Sequence, residues 1–322
     1  MSRKTRFLVL KILFGILCFG FIFYKLKDQF TPENTIQFKN TFNDQNNLLL
    51  LVFTTLLLFL NWGIESYKWQ LITSGIQRIS FKTACKSVLT GLCVGNLTPG
   101  RIGEFAGRIL FFIPENRSKI SVTHFVCGLT QLFITVATGI LALGFVLSRN
   151  NNNSQNLFLV LGLCSILLLA LVLLVININR VYARLSAWKI LKRFDLGEVN
   201  YSRTLMLRLL FLSLLRYVVF SSQYFLLLKV FGISANSFDV SCAIAVSFML
   251  MSSIPMISFI EVAVRAAIAV MLFGGFQQNS LQLVSASSFL WLINIVIPSV
   301  FGYIVIVQEK FEFRSLRKTV KA

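Results

Sequence analysis

Long apolar runs separated by short polar intervals dominate the chain. Runs near 7–25, 48–67, 120–147, 157–178, 209–230 and 283–307 carry few charges. Each approaches or exceeds the roughly 20 residues an α-helix needs to cross about 30 Å of hydrocarbon. A β-barrel would show short alternating segments instead. Two further apolar stretches, 82–114 and 238–275, break near their middles, at Thr98-Pro99-Gly100 and at Ser253-Ile254-Pro255. Each half is too short to cross. Two half-helices joined by a break read as a re-entrant hairpin, which requires protein or a water-filled cavity around its exposed backbone. The alternative is a single kinked helix. The pattern therefore predicts an all-α polytopic membrane protein of one domain, with about six spanning helices plus two re-entrant broken-helix hairpins.

Composition agrees. Of 322 residues, 56% are hydrophobic and 13% charged, and mean hydropathy is +0.76, far from a soluble domain. The apolar run after Ser2-Arg3-Lys4-Thr5-Arg6 continues to about Tyr24 with no small-residue cleavage site, so it reads as a first spanning helix and not a cleaved signal. Cys18, Cys85, Cys93, Cys127, Cys164 and Cys242 lie in apolar segments with no CxxC and no clustered histidines. They read as core residues, with no metal or other cofactor expected.

The formal charge of +19 would suggest nucleic acid in a soluble protein; its placement points instead to the membrane. Arg3, Lys4, Arg6 and Lys11 lie at the N-terminus, Lys68, Arg78, Lys82, Lys86, Arg117 and Lys119 flank the first hairpin, and Arg180, Arg184, Lys189, Lys192, Arg193, Arg203 and Arg208 crowd a connector over about 179–208. Lys310, Arg314, Arg317, Lys318 and Lys321 end the chain. Six crossings put all four groups on one side, so both termini are expected in the cytoplasm and the protein in a bacterial-type inner membrane. In the connector, Val181, Leu185, Trp188, Leu191 and Phe194 alternate with basic residues like an interfacial amphipathic helix.

An offset of 157 residues aligns two halves, about 48–147 and 205–307. Tyr67 falls on Tyr224, Gly75-Ile76 on Gly232-Ile233, Ser80-Phe81 on Ser237-Phe238, Cys85 on Cys242, Glu104 on Glu261 and Arg108 on Arg265, with Pro99 one place from Pro255. The crossing count makes the repeats inverted, an architecture in which broken helices meet near the midplane around a binding site.

The candidate site follows from the charges this pattern leaves in lipid. Thr98 and Pro99 suit the N-cap and first position of a helix carrying Arg101, Glu104 and Arg108, and such an N-terminus favours an anion. Arg101 would add a bidentate donor. Glu104/Arg108 and Glu261/Arg265 each place opposite charges four apart on one helix face, either as structural ion pairs or as substrate or gating groups. Glu65 and Arg216 complete the set; Glu65 could instead snorkel to the interface, and Arg216 could pair with a hairpin carboxylate. His124 reads more readily as a surface residue than as a proton relay. No carboxylate pair, His cluster, GxSxG or nucleotide-binding fingerprint supports an enzyme or an ATPase.

Thr98-Pro99-Gly100-Arg101-Ile102-Gly103-Glu104 and the segment from Ile254-Pro255 to Glu261-x-x-x-Arg265 resemble the lysylphosphatidylglycerol synthase transmembrane, or flippase-like, family, over nearly the whole chain. That resemblance implies a membrane domain that flips a lipid, which in the best-known member is joined to a cytosolic aminoacyl transferase. No such domain follows here, so synthase activity is not expected. The chain departs from the family where Met256-Ile257-Ser258-Phe259-Ile260 replaces glycines near the second proline. The leading expectation is a non-enzymatic translocase of a lipid with an anionic or zwitterionic headgroup. A transporter of a small polar solute or ion is the alternative, and a membrane partner in envelope-lipid synthesis a further one. The expected partners are membrane lipids, with a homodimer and a separately encoded lipid-modifying transferase as candidates.

Overall fold

In the computed structural model, residues 31–98, 101–149, 154–187, 200–233, 235–253, 258–274 and 280–309, with Phe23, are described. Among them every regular element is helical: α1 (Pro32–Asn43), α2 (Gln45–Thr73), α3 (Phe81–Asn96), α4 (Gly103–Ile109), α5 (Arg117–Arg149), α6 (Ser154–Ile176), α7 (Ile178–Ala187), α8 (Arg203–Val230), α9 (Ser237–Ser253), α10 (Ser258–Phe273), α11 (Ser280–Trp291) and α12 (Ile297–Gln308). The last two are joined through a π-helical turn, Leu292–Val296. Among the described residues, four segments are long and apolar enough to cross a membrane: Gln45–Thr73, Pro114–Leu147, Arg203–Val230 and Ser280–Gln308. Their outward faces carry exposed apolar side chains, such as Val52, Leu56 and Phe59 on α2 and Phe211, Leu214 and Val218 on α8. A soluble protein would place charge there. The chain is an integral membrane protein.

The expected crossing at 7–25 lies outside the described residues apart from Phe23. That at 157–178 corresponds to α6, whose 23 residues extend about 34 Å. The interval before α2 is not merely a connection. Asp44 caps α2 by accepting from the Asn46 N–H at 2.9 Å, and α1 precedes it, setting Phe38 and Phe42 against Phe231 with ring centroids 6.0 and 6.2 Å apart. The connector forms α7, with Ile178 buried and Arg180 and Arg184 exposed; Trp188, Leu191 and Phe194 lie outside the described residues. Asn179 fastens its start to Tyr201, accepting from its N–H and donating to its carbonyl.

Helices α2 and α8 cross antiparallel through polar contacts. Gln223 Nε2 donates to the Thr54 carbonyl near one end, and Lys68 Nζ to Ser213 Oγ near the other. Helices α3 and α4 form a tight antiparallel hairpin, because Gly91, Gly95, Gly103 and Gly107 let the backbones touch. A Cβ on Gly107 would lie 2.8 Å from Gly91 Cα, and one on Gly103 2.5 Å from the Val94 carbonyl oxygen. At the corresponding positions α9 and α10 carry Phe248, Ser252, Ile260 and Val264, and that pair stands further open. Each short helix leans on the long helix of the other half. On α12, Gly302 sits against the Leu89 carbonyl and Cys93 of α3, while Gly139 of α5 sits against Met249 of α9.

Candidate functional site

Two charge clusters meet between these helices. The first centres on Glu65, a polar residue in the inward face of α2 and only 5% exposed. Its carboxylate accepts from Arg108 at 2.9 Å and Arg216 at 2.8 Å, with Lys68 Nζ 3.7 Å away. Arg108 also reaches Glu104 at 2.7 Å and lies over the Trp69 ring, 5.0 Å from its centroid. Glu65 is therefore not an interfacial group that snorkels to water: α4 and α8 each bring an arginine to it and its own helix a lysine, and burial without those cations would be prohibitive. Lys68 likewise departs from its expected place among the flanking basic residues. It is fully buried and donates to Ser213 Oγ at 2.8 Å.

Arg216 pairs with Glu65 and Asn61, not with a hairpin carboxylate. Its guanidinium lies 5.1 Å from the Trp62 centroid. Asn61 in turn donates to Asn294 at 2.6 Å. Asn294 sits in the π-helical turn, a local widening of the kind that re-aims side chains at functional sites. His124 is half-buried with its ring edge-on to Trp69 at 5.9 Å, so it is a packing residue of this cluster and not a surface one.

The second cluster joins the two hairpins. Glu261 accepts from Arg265 at 2.7 Å along α10 and from Arg101 at 3.0 Å across the gap. Both Glu-x-x-x-Arg pairs thus form on their helices as the spacing predicts. The expected helix start at Thr98 and Pro99 does not: α4 begins at Gly103, and Pro99 lies outside the described residues. Thr98 Oγ1 still accepts from the Gly103 N–H at 2.7 Å, but from outside the helix. Close packing of Gly103 on α3 delays the α-helix, so Arg101 lies before it, in a 3-10 turn. Its φ of 56° is the one positive value at a non-glycine among the described residues, a conformation disfavoured by roughly 1–2 kcal/mol. Helix α4 has only seven residues, so its N-terminus is no anion site in itself; the arginines supply the positive field.

Between the clusters lies a cavity of about 420 Å³. Arg101, Arg216, Arg265 and Glu261 line it with Asn61, Gln131, Asn294 and Ser252, and with the apolar Trp62, Phe220, Phe248, Met251 and Trp291. Glu104, Arg108, Glu65 and Thr98 stand behind this wall, tying α2, α3 and α4 together. The sequence reading missed Asn61, Gln131, Asn294 and the aromatic lining because it searched for charges. The available signal was Asn61, Glu65 and Lys68 recurring on one face of an otherwise apolar helix. Among the described residues no group of three metal-ligating side chains occurs.

No curated protein matches the chain. The family model described as the lysylphosphatidylglycerol synthase TM region matches residues 8–302. That match covers most of the 322 residues, and the chain belongs to that family.

Proposed function

We propose that this protein moves a phospholipid or another polar-headgroup lipid across the cytoplasmic membrane, without transforming it. The observation that carries the reading is the Arg101–Glu261 bridge at the cavity, which ties one hairpin to the other through exchangeable charges. A headgroup phosphate entering the cavity competes with Glu261 for Arg101. Glu261 then rests on Arg265 alone, and the contact between the hairpins opens. The headgroup occupies the polar cavity while its acyl chains stay in the bilayer.

The reading includes six crossings, both termini in the cytoplasm, and inverted repeats whose hairpins re-enter the membrane from opposite faces. The 157-residue register, the antiparallel crossing of α2 with α8 and the reciprocal packing of α3 on α12 and α9 on α5 support it. The family description names a synthase of an aminoacylated lipid; in this proposal any such chemistry belongs to a separately encoded transferase.

The test is reconstitution into liposomes with fluorescent phospholipids whose outer-leaflet label is chemically quenched. Accelerated loss of inner-leaflet signal is expected with the wild-type protein. Arg101→Ala should slow it at least about tenfold, the equivalent of one charge-assisted hydrogen bond. Movement no faster than in protein-free vesicles, over a broad lipid panel, would defeat the proposal.

A further inference from the structure

We infer that the cavity selects a phosphate headgroup that carries no compensating ammonium, and disfavours the aminoacylated, net-positive headgroup that the family description names. This rests on the translocase reading and specifies its substrate class.

Among the described residues the charged lining consists of three guanidiniums, Arg101, Arg216 and Arg265, and one carboxylate, Glu261. That carboxylate is already engaged by two arginines, and the nearby Glu65 and Glu104 are held by Arg108 and, for Glu65, also by Arg216. An incoming ammonium therefore meets no uncommitted carboxylate. An anion, in contrast, meets spare donors. Arg101 uses only Nη2 for Glu261, Arg265 uses Nε and Nη2, and Arg216 uses Nε and Nη1. Each keeps at least one nitrogen with no acceptor among the described residues. The lining Trp62 and Trp291 also keep buried indole N–H groups without a partner among the described residues. Against these donors the lining sets one buried acceptor without a partner among the described residues, Gln131 Oε1; donors still predominate in a site walled by aromatic rings, which favours an acceptor-rich anion and repels a cation.

The shared chemistry is an anionic phosphate ester, available from a lipid headgroup or from a soluble ester. The purified protein is exchanged into an equimolar mixture of phosphatidylglycerol, phosphatidylcholine and lysylphosphatidylglycerol with matched chains, and retained lipid is quantified by mass spectrometry. Glycerol phosphate is the soluble competitor, and the same lipids are compared in the liposome assay. Phosphatidylglycerol should be retained at least about tenfold over lysylphosphatidylglycerol, unaffected by glycerol phosphate. Ser252→Glu adds a carboxylate to the wall at an exposed position and should cut that ratio by a comparable factor, whereas Arg265→Gln should lower retention of the anionic lipid. Preferential retention without transport upholds the selectivity and defeats the translocase reading. Displacement by glycerol phosphate upholds the anion chemistry and assigns it to a soluble ligand. Equal or greater retention of lysylphosphatidylglycerol, or no selective retention at all, overturns the inference.

Discussion

Glu65 is the residue on which the buried network depends. Replacing it with glutamine leaves Lys68, Arg108 and Arg216 close together without their shared anion, and removing one partner of a buried charge set costs roughly 3–5 kcal/mol. Glu65→Gln should therefore melt far below the wild type in detergent, and adding Arg216→Gln should recover part of the loss, since it removes a stranded cation. A single variant as stable as the wild type would show that the network does not hold the fold. Arg101 tests the opposite case, where function and stability diverge. Arg101→Gly relieves the positive φ while Arg101→Ala keeps it, so the glycine variant should be the more stable of the two by about 1 kcal/mol, with the proposed transport slowed at least about tenfold in both. What the sequence disclosed at this scale was whatever lies within one helix. The Glu104–Arg108 and Glu261–Arg265 pairs are four residues apart, a spacing that fixes their contact. Glu65 with Arg216 and Arg101 with Glu261 are 151 and 160 residues apart, and only the packing of helices brings them together.

At the scale of elements, the breaks after α3 and α9 were legible because Pro99-Gly100 and Pro255 interrupt apolar stretches whose halves are too short to cross. The start of α4 was not, because it depends on how closely Gly103 approaches α3. Helix α1 was also missed: its Phe38 and Phe42 share one face, but a 12-residue polar helix is stabilised by docking on Phe231 and not by its own pattern. Close backbone approach makes a further prediction. A Cβ on Gly302 would stand 2.1 Å from the Leu89 carbonyl oxygen, so Gly302→Ala must push α12 off α3, at a cost of roughly 1–3 kcal/mol. Gly128→Ala on α5 meets nothing within 4 Å and should be neutral or gain up to about 1 kcal/mol from helix propensity. Thermal unfolding of the two variants side by side checks this; equal melting would mean that the α3–α12 contact is loose.

For the whole molecule, the repeat register and the packing lead to one topological statement that labelling can settle. Helices α2 and α8 occupy equivalent places in the two halves, yet they cross antiparallel. The segments that leave their C-terminal ends, around Ser74 and Ser237, therefore emerge at opposite ends of the helix bundle. If both helices span the bilayer, as their 29 and 28 residues allow, these segments lie on opposite sides of the membrane. Both serines are exposed, so cysteines placed there in a background without the six native cysteines should react from opposite faces with a membrane-impermeant thiol reagent. In the proposed orientation the basic residues around Ser74 lie on the cytoplasmic side, so Ser74 is expected to react from that side. Labelling of both positions from one side would break the inverted relationship. It would also leave Arg101 and Glu261 unable to approach the cavity from opposite leaflets, so the exchange of their bridge could no longer pass a headgroup from one face to the other.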